Sequence, residues 1–246
     1  MLEVCVDSLE SALNAIHGEV DEIEVCSSLA EGGLTPSPGL VKEILRARPK
    51  INVMIRCRMG SDFCYSSFEM DTMLSDLMFF KEIGADRFVF GCLTNTQDID
   101  KENCRKIIEA AKPFPVTFHR AFDICNDPLK AVEEIIDLGF DRILTSGQQP
   151  CAGDIKAISL ITQLIVMFGD VIQIMPGAGV NSKNVTSLIA VGCKIFHSSC
   201  KRSRQLKRIK NDLNMGTVDS EFIIVSDENI VKELKEVICK NLVNLG

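Results

Sequence analysis

The sequence predicts a (β/α)8 barrel, and three observations carry that prediction. A chain of 246 residues is about the length at which eight strand–helix units close on themselves. Short β-rich runs alternate with amphipathic stretches from one end to the other, which forces parallel strands joined by right-handed crossovers. No G-x-G-x-x-G follows the first strand, so the fingerprint of an open dinucleotide-binding sheet is missing. The reading is a single TIM-barrel domain over residues 1–246, with a closed parallel sheet and outer helices.

Taken in order, the predicted strands are Leu2–Val6, Glu22–Cys26, Asn52–Arg56, Arg87–Phe90, Val116–His119, Arg142–Thr145, Val171–Met175 and Lys194–His197. Each is short and β-branched or aromatic, and several follow a turn such as Gly84-Ala85-Asp86 or Gly139-Phe140-Asp141 that suits the end of a helix. The clearest helical periodicities cover Ser67–Ile83, Lys101–Ala111, Leu129–Leu138, Asp154–Phe168 and Asp227–Leu242. Asp127-Pro128 and Asp227 have the residue types of helix N-termini. The polar segment Lys201–Ile223 is long for a loop and is the expected place for a lid or subunit contact.

Composition narrows the function. A formal net charge of −7 argues against nucleic acid and anionic membrane as partners, because either requires a broad excess of Lys and Arg. No apolar run approaches the roughly 18 residues of a membrane span, and Met1–Val6 has the pattern of a strand in place of a signal peptide. A cytoplasmic protein is expected, with the nucleus as the alternative. The 11 cysteines include no C-x-x-C and are odd in number, so neither a disulfide framework nor a zinc finger is expected.

Strands buried on both faces are apolar throughout, so polar residues inside them point into the barrel or toward its mouth. Alternation then puts Glu3 and Cys5, Glu24 and Cys26, Asn52, Met54 and Arg56, Thr117 and His119, Gln173 and Met175, and His197 on the inner side. Of the 3 histidines, His119 and His197 fall at strand C-termini, where barrel enzymes work. With Glu24 they form a candidate acid–base group, and the same residues suit a buried ion-pair network around Arg56. Arg56, Arg58 and Arg120, with Gly177 and Gly179 of the turn Gly177-Ala178-Gly179, are candidate anion-binding residues; the glycines equally suit a tight entry into the following helix, read as starting near Asn181-Ser182. Cys5 and Cys26 lie on adjacent strands with the same parity, and two soft sulfurs about 5 Å apart suit Cu(I). Buried cysteine also serves as a small hydrophobe.

These residues sit in motifs that resemble the CutC copper homeostasis family: Glu3-Val4-Cys5-Val6-Asp7, Glu24-Val25-Cys26, Leu29 to Ser37 with Glu31-Gly32-Gly33, Met54-Ile55-Arg56, Phe90-Gly91, Val116 to Asp123 with His119-Arg120-Ala121-Phe122-Asp123, Leu144-Thr145-Ser146-Gly147, Met175-Pro176-Gly177 and Phe196-His197. The resemblance spans nearly the whole chain. It implies a barrel, a cytoplasmic homo-oligomer, and copper handling with Cu(I) as the bound ion. Against the family pattern, Cys57 stands in place of a proline, Met59 in place of a glycine, and Ala178 in place of the middle glycine of its turn. The alternative is a barrel enzyme acting on a small anionic metabolite, a phosphate or carboxylate, by acid–base chemistry.

Overall fold

A computed structural model describes residues 1–47, 49–206 and 222–243. Eight parallel strands form the predicted barrel, β1 (Leu2–Val6), β2 (Glu22–Val25), β3 (Ile51–Met54), β4 (Arg87–Phe90), β5 (Val116–Phe118), β6 (Arg142–Thr145), β7 (Gln173–Pro176) and β8 (Phe196–Ser198). Their hydrogen-bonded order is β7-β6-β5-β4-β3-β2-β1-β8, with β8 brought back beside β7 to leave the barrel nearly closed. Between them run α1 (Leu9–His17), α2 (Pro38–Leu45), α3 (Ser67–Ile83), α4 (Lys101–Ala111), α5 (Pro128–Leu138), α6 (Ile155–Phe168) and α7 (Val185–Ala190), and α8 (Glu228–Val243) follows the last strand.

The alternation seen in the sequence organises the core. Outward-facing Val4, Val6, Ile23, Val25, Ile51 and Val53 are fully buried in one continuous cluster with helix residues such as Ala12, Val41, Leu77, Ile135 and Leu234. Local chemistry sets the helix ends. Asp127 accepts from the amides of Leu129 and Lys130 with Pro128 in the first turn, Asp227 accepts from Asn229 and Ile230, and Ser66 and Glu69 form a reciprocal capping box on α3. Gly84 and Gly139 end α3 and α5 in the left-handed conformation, as their Gly-x-Asp turns suggest.

Several boundaries move: β2, β3 and β5 end one or two residues earlier than predicted, and β8 runs over Phe196–Ser198. The seventh strand begins at Gln173, because Val171 is 69 % exposed and lies outside the sheet. The segment Lys201–Ile223 is no plain loop at its ends: β9 (Lys201–Gln205) and β10 (Phe222–Ser226) pair antiparallel, and Arg204 and Arg202 bind Glu10 and Asp227. The middle of that segment, where the lid or subunit contact was expected, lies outside the described residues. Among the described residues, no helix is long and apolar enough to cross a membrane.

Candidate functional site

The barrel interior is built in polar tiers. At the N-terminal end, Arg142 of β6 reaches across to β2 and β1, with Nη1 2.8 Å from Glu22 Oε2 and 3.3 Å from Glu3 Oε2, while its Nε donates to Gln173 Oε1 at 3.0 Å. Asn52 Nδ2 donates to Glu22 Oε2 at 3.0 Å and also to Glu3. Burial pushes the Glu22 carboxyl up, but the hydrogen bond and charge of Arg142 overcome it and hold the group below its usual range. Glu3 is deeper still; burial dominates over the opposing charges of His197 and Arg142, and its carboxyl is raised. Its Oε1 has no hydrogen-bond partner.

One tier nearer the mouth, β8 brings His197 Nε2 to 3.0 Å from Glu24 Oε2 and 3.7 Å from Glu3 Oε1. Burial pulls the imidazole pKa down, yet the Cys5 sulfur and Glu24 carboxylate outweigh it, so His197 is held well above its ordinary value. Donor atoms of Cys5, Glu24 and His197 lie within 4.8 Å of one another, and no other such trio of potential metal ligands occurs among the described residues. Cys26 adjoins the group, its thiol donating to Glu24 Oε2 at 3.6 Å. Complete burial, then the neighbouring Glu24 charge, pushes that thiol well above the usual range, so it is protonated when no ion is bound.

The expected side-by-side placement of Cys5 and Cys26 needs correction. The β1–β2 register sets Cys5 against Glu24 and Val6 against Val25, so Cys26 stands further along its strand, and Glu24 is a neighbour of both cysteines. Parity alone determines a face; it leaves the register free.

The rim arginines differ from one another. Arg56 is buried and spends Nη1 on the carbonyls of Glu31 and Gly33, at 2.9 and 3.0 Å, and Nη2 on that of Gly60 at 2.8 Å, clasping the β2–α2 and β3–α3 loops together. Gly32 and Gly33 have φ of +85° and +86°, and a Cβ on Gly33 would lie 3.1 Å from Cys26 Sγ, which explains the Glu31-Gly32-Gly33 motif as a loop laid directly on that cysteine. Arg58 faces the α3 side, where both Asp62 oxygens and Glu69 take its guanidinium. Arg120 pairs with Asp123 at 2.7 Å and Ser146 at 3.0 Å. Asp123 also accepts from Thr145 Oγ1 and the Ser146 amide, tying the loop after β5 to that after β6.

His119 lies apart from the Cys5–Glu24–His197 group. Its Nδ1 accepts from the Ala121 amide at 3.1 Å and its Nε2 is buried without a partner. Burial, reinforced by the Arg56 charge, takes its pKa down to about 3, so the ring is neutral and its proton sits on Nε2. Gly177 packs where a Cβ would meet Leu144 Cδ1 at 2.5 Å and His197 Nδ1 at 3.2 Å, and Gly179, at φ +74°, closes on Cys151. The helix after this turn starts at Val185, not near Asn181; the Asn184 and Asn181 side chains accept from the amides of Asn181 and Lys183, respectively, which satisfies two donors between the turn and the helix. Glu22, Arg142, Asp123 and Phe63 are site residues that the sequence did not single out, although Glu22 shares the inward parity of Glu24.

The CutC family model matches residues 1–202. A CutC family protein of Parabacteroides distasonis is 43 % identical over 235 residues, covering 93 % of this chain and 96 % of its own. The copper homeostasis protein cutC homolog of Homo sapiens is 41 % identical over 249 residues, covering 98 % and 90 %. The crystal structure of the CutC protein from Streptococcus agalactiae superposes with a TM-score of 0.75 at 32 % identity, covering 81 % of this chain and 98 % of that one. KGPDC from Streptococcus mutans, with a TM-score of 0.59 at 12 % identity and 97 % coverage of both chains, shares the fold alone. Family model, relatives and structure agree over most of its length: the chain belongs to the CutC family.

Proposed function

We propose that this protein is a copper homeostasis protein that holds Cu(I) at the barrel mouth through Cys5 and Cys26, acting as one cytoplasmic barrel domain in a homo-oligomer. The observation that carries the reading is the donor group itself: Cys5, Glu24 and His197 converge within 4.8 Å, with Cys26 hydrogen-bonded to Glu24. Thiolate sulfur is a soft ligand that selects Cu(I), and imidazole nitrogen also suits copper. Were an ion to replace the Cys26 proton, Glu24, already hydrogen-bonded to that thiol, would be in place to accept it. The names of the relatives, copper homeostasis protein cutC homolog, point the same way. Exposed apolar residues on and after α6, Ile155, Val166, Met167 and Val171, support self-association.

Titration with Cu(I) under reducing conditions against a colorimetric Cu(I) chelator tests the reading. Wild type is expected to take up the ion stoichiometrically, and the Cys5→Ser, Cys26→Ser double variant to lose it. Full stoichiometry and affinity in the double variant would remove both cysteines from the site.

A second reading, an enzyme acting on a small anionic metabolite, is favoured by one observation: Arg56 Nε and His119 Nε2 are buried N–H groups without partners on the same rim. Glu24 and His197 then supply the acid–base pair. A thermal-shift screen against carboxylates and phosphorylated metabolites, followed by turnover assays on the hits, tests it.

A further inference from the structure

The two unpartnered donors share one level of the barrel. Met54 pairs with Val89 and Phe90 with Phe118, so one or two residues further on, Arg56, Gly91 and His119 stand side by side across β3, β4 and β5. Gly91 has no side chain to separate its neighbours: a Cβ there would lie 2.4 Å from His119 Nδ1, so the imidazole occupies that space. Both groups border one aromatic ring. The Arg56 guanidinium carbon is 5.1 Å from the Phe63 ring centre, and the His119 ring centre is 4.9 Å from it. Phe63 is half-buried, reachable from solvent, and held at φ +51°, a conformation that a bulky residue rarely adopts. A strained aromatic residue packed against the two groups that carry unsatisfied donors stands where an occupant would.

We infer that Phe63 is a replaceable plug over an oxyanion site, in which a small carboxylate or phosphoryl group accepts from Arg56 Nε–H and His119 Nε2–H. The inference deepens the enzymatic reading by giving it a ligand class and by assigning His119 a fixed role. A ring whose Nδ1 is engaged by a backbone amide donates through Nε2 and does not abstract a proton. Arg56 contributes through Nε, its one nitrogen without a partner, since Nη1 and Nη2 clasp the two loops. The anion end of the site therefore lies over β3 and β5, and the Glu24–His197 pair lies over β2 and β8.

The test is nitrogen NMR on histidine-labelled full-length protein titrated with inorganic phosphate and with acetate, using chloride to match ionic strength. Wild type is expected to show a saturable shift of His119 Nε2 with a millimolar midpoint. Phe63→Ala, which removes the ring that the anion must displace, is expected to lower that midpoint by roughly tenfold, and His119→Phe to abolish binding measured by calorimetry. A resonance that stays fixed in both wild type and Phe63→Ala overturns the inference. So does a shift confined to Phe63→Ala, because the ring is then a permanent wall. Oxyanion binding with no turnover of any metabolite leaves the inference standing and removes the enzymatic reading, whereas turnover with a silent His119 does the reverse.

Discussion

Replacing His119 by Phe isolates the energetic cost of keeping this imidazole neutral. In the unfolded chain a histidine titrates near 6.5, and in the barrel burial and the Arg56 charge take it to about 3. Between those values the unfolded state binds the extra proton, so stability rises with pH across the window and is lost as pH falls below the unfolded value. At about 1.4 kcal/mol per unit, the loss from this residue is about 2 kcal/mol at about pH 5 and about 5 kcal/mol by about pH 3. Phe keeps an aromatic ring beside Gly91 and removes the titration. Its other effects, including the lost acceptor for the Ala121 amide, shift stability by an amount independent of pH. Urea unfolding followed by circular dichroism at about pH 7, 6 and 5 gives the difference, expected to change by about 1.4 kcal/mol per pH unit below 6.5. His197 does not confuse the result: its raised pKa stabilises below the unfolded value and is lost only as pH rises through the folded one. Parallel curves for wild type and His119→Phe would mean a solvated, titrating ring, and with it the fixed Nε2–H donor would go.

Arg142→Met leaves Glu22 and Glu3 buried without their cation, and is expected to cost about 3–5 kcal/mol near neutral pH, a fall of about 6–20 °C in Tm for a chain of this size. Because wild type alone loses the depressed Glu22 titration as pH falls through its folded pKa, the gap is expected to narrow toward pH 4; melting curves with a gap that is small or independent of pH contradict the network's role. Gly91→Ala puts a Cβ 2.4 Å from His119 Nδ1 and is expected to cost about 1–3 kcal/mol in urea unfolding and to shift the His119 nitrogen resonances. An unchanged resonance would show that the ring does not occupy the glycine's space.

Much of the fold was legible because it rests on a two-valued reading. A polar residue in a short strand that is otherwise apolar has only two directions, and helices seal one of them, so Glu3, Glu24, Asn52, Thr117 and His197 had to enter the barrel. Register takes many values and depends on how the neighbouring strands settle. Hence Cys5 faces Glu24 across β1 and β2, and the Glu22–Arg142 contact across the barrel, from β2 to β6, had no local signal.

The rim shows why a list of cations is not a binding site. Arg58 and Arg120 carry acceptors a few residues away, Asp62 and Asp123, and short-range pairing engages the Arg58 guanidinium fully and the Arg120 guanidinium in part. Arg56 is instead drawn to loop carbonyls, which engage both terminal nitrogens and leave Nε as the nitrogen without a partner. His119 likewise loses one nitrogen to a backbone amide. Competition for hydrogen bonds, settled only once the loops are in place, thus leaves one buried unpartnered nitrogen on Arg56 and brings forward a second on His119. Because both border a single strained phenylalanine, the inferred site puts control of anion access to these two nitrogens on that ring rather than on the arginine charge.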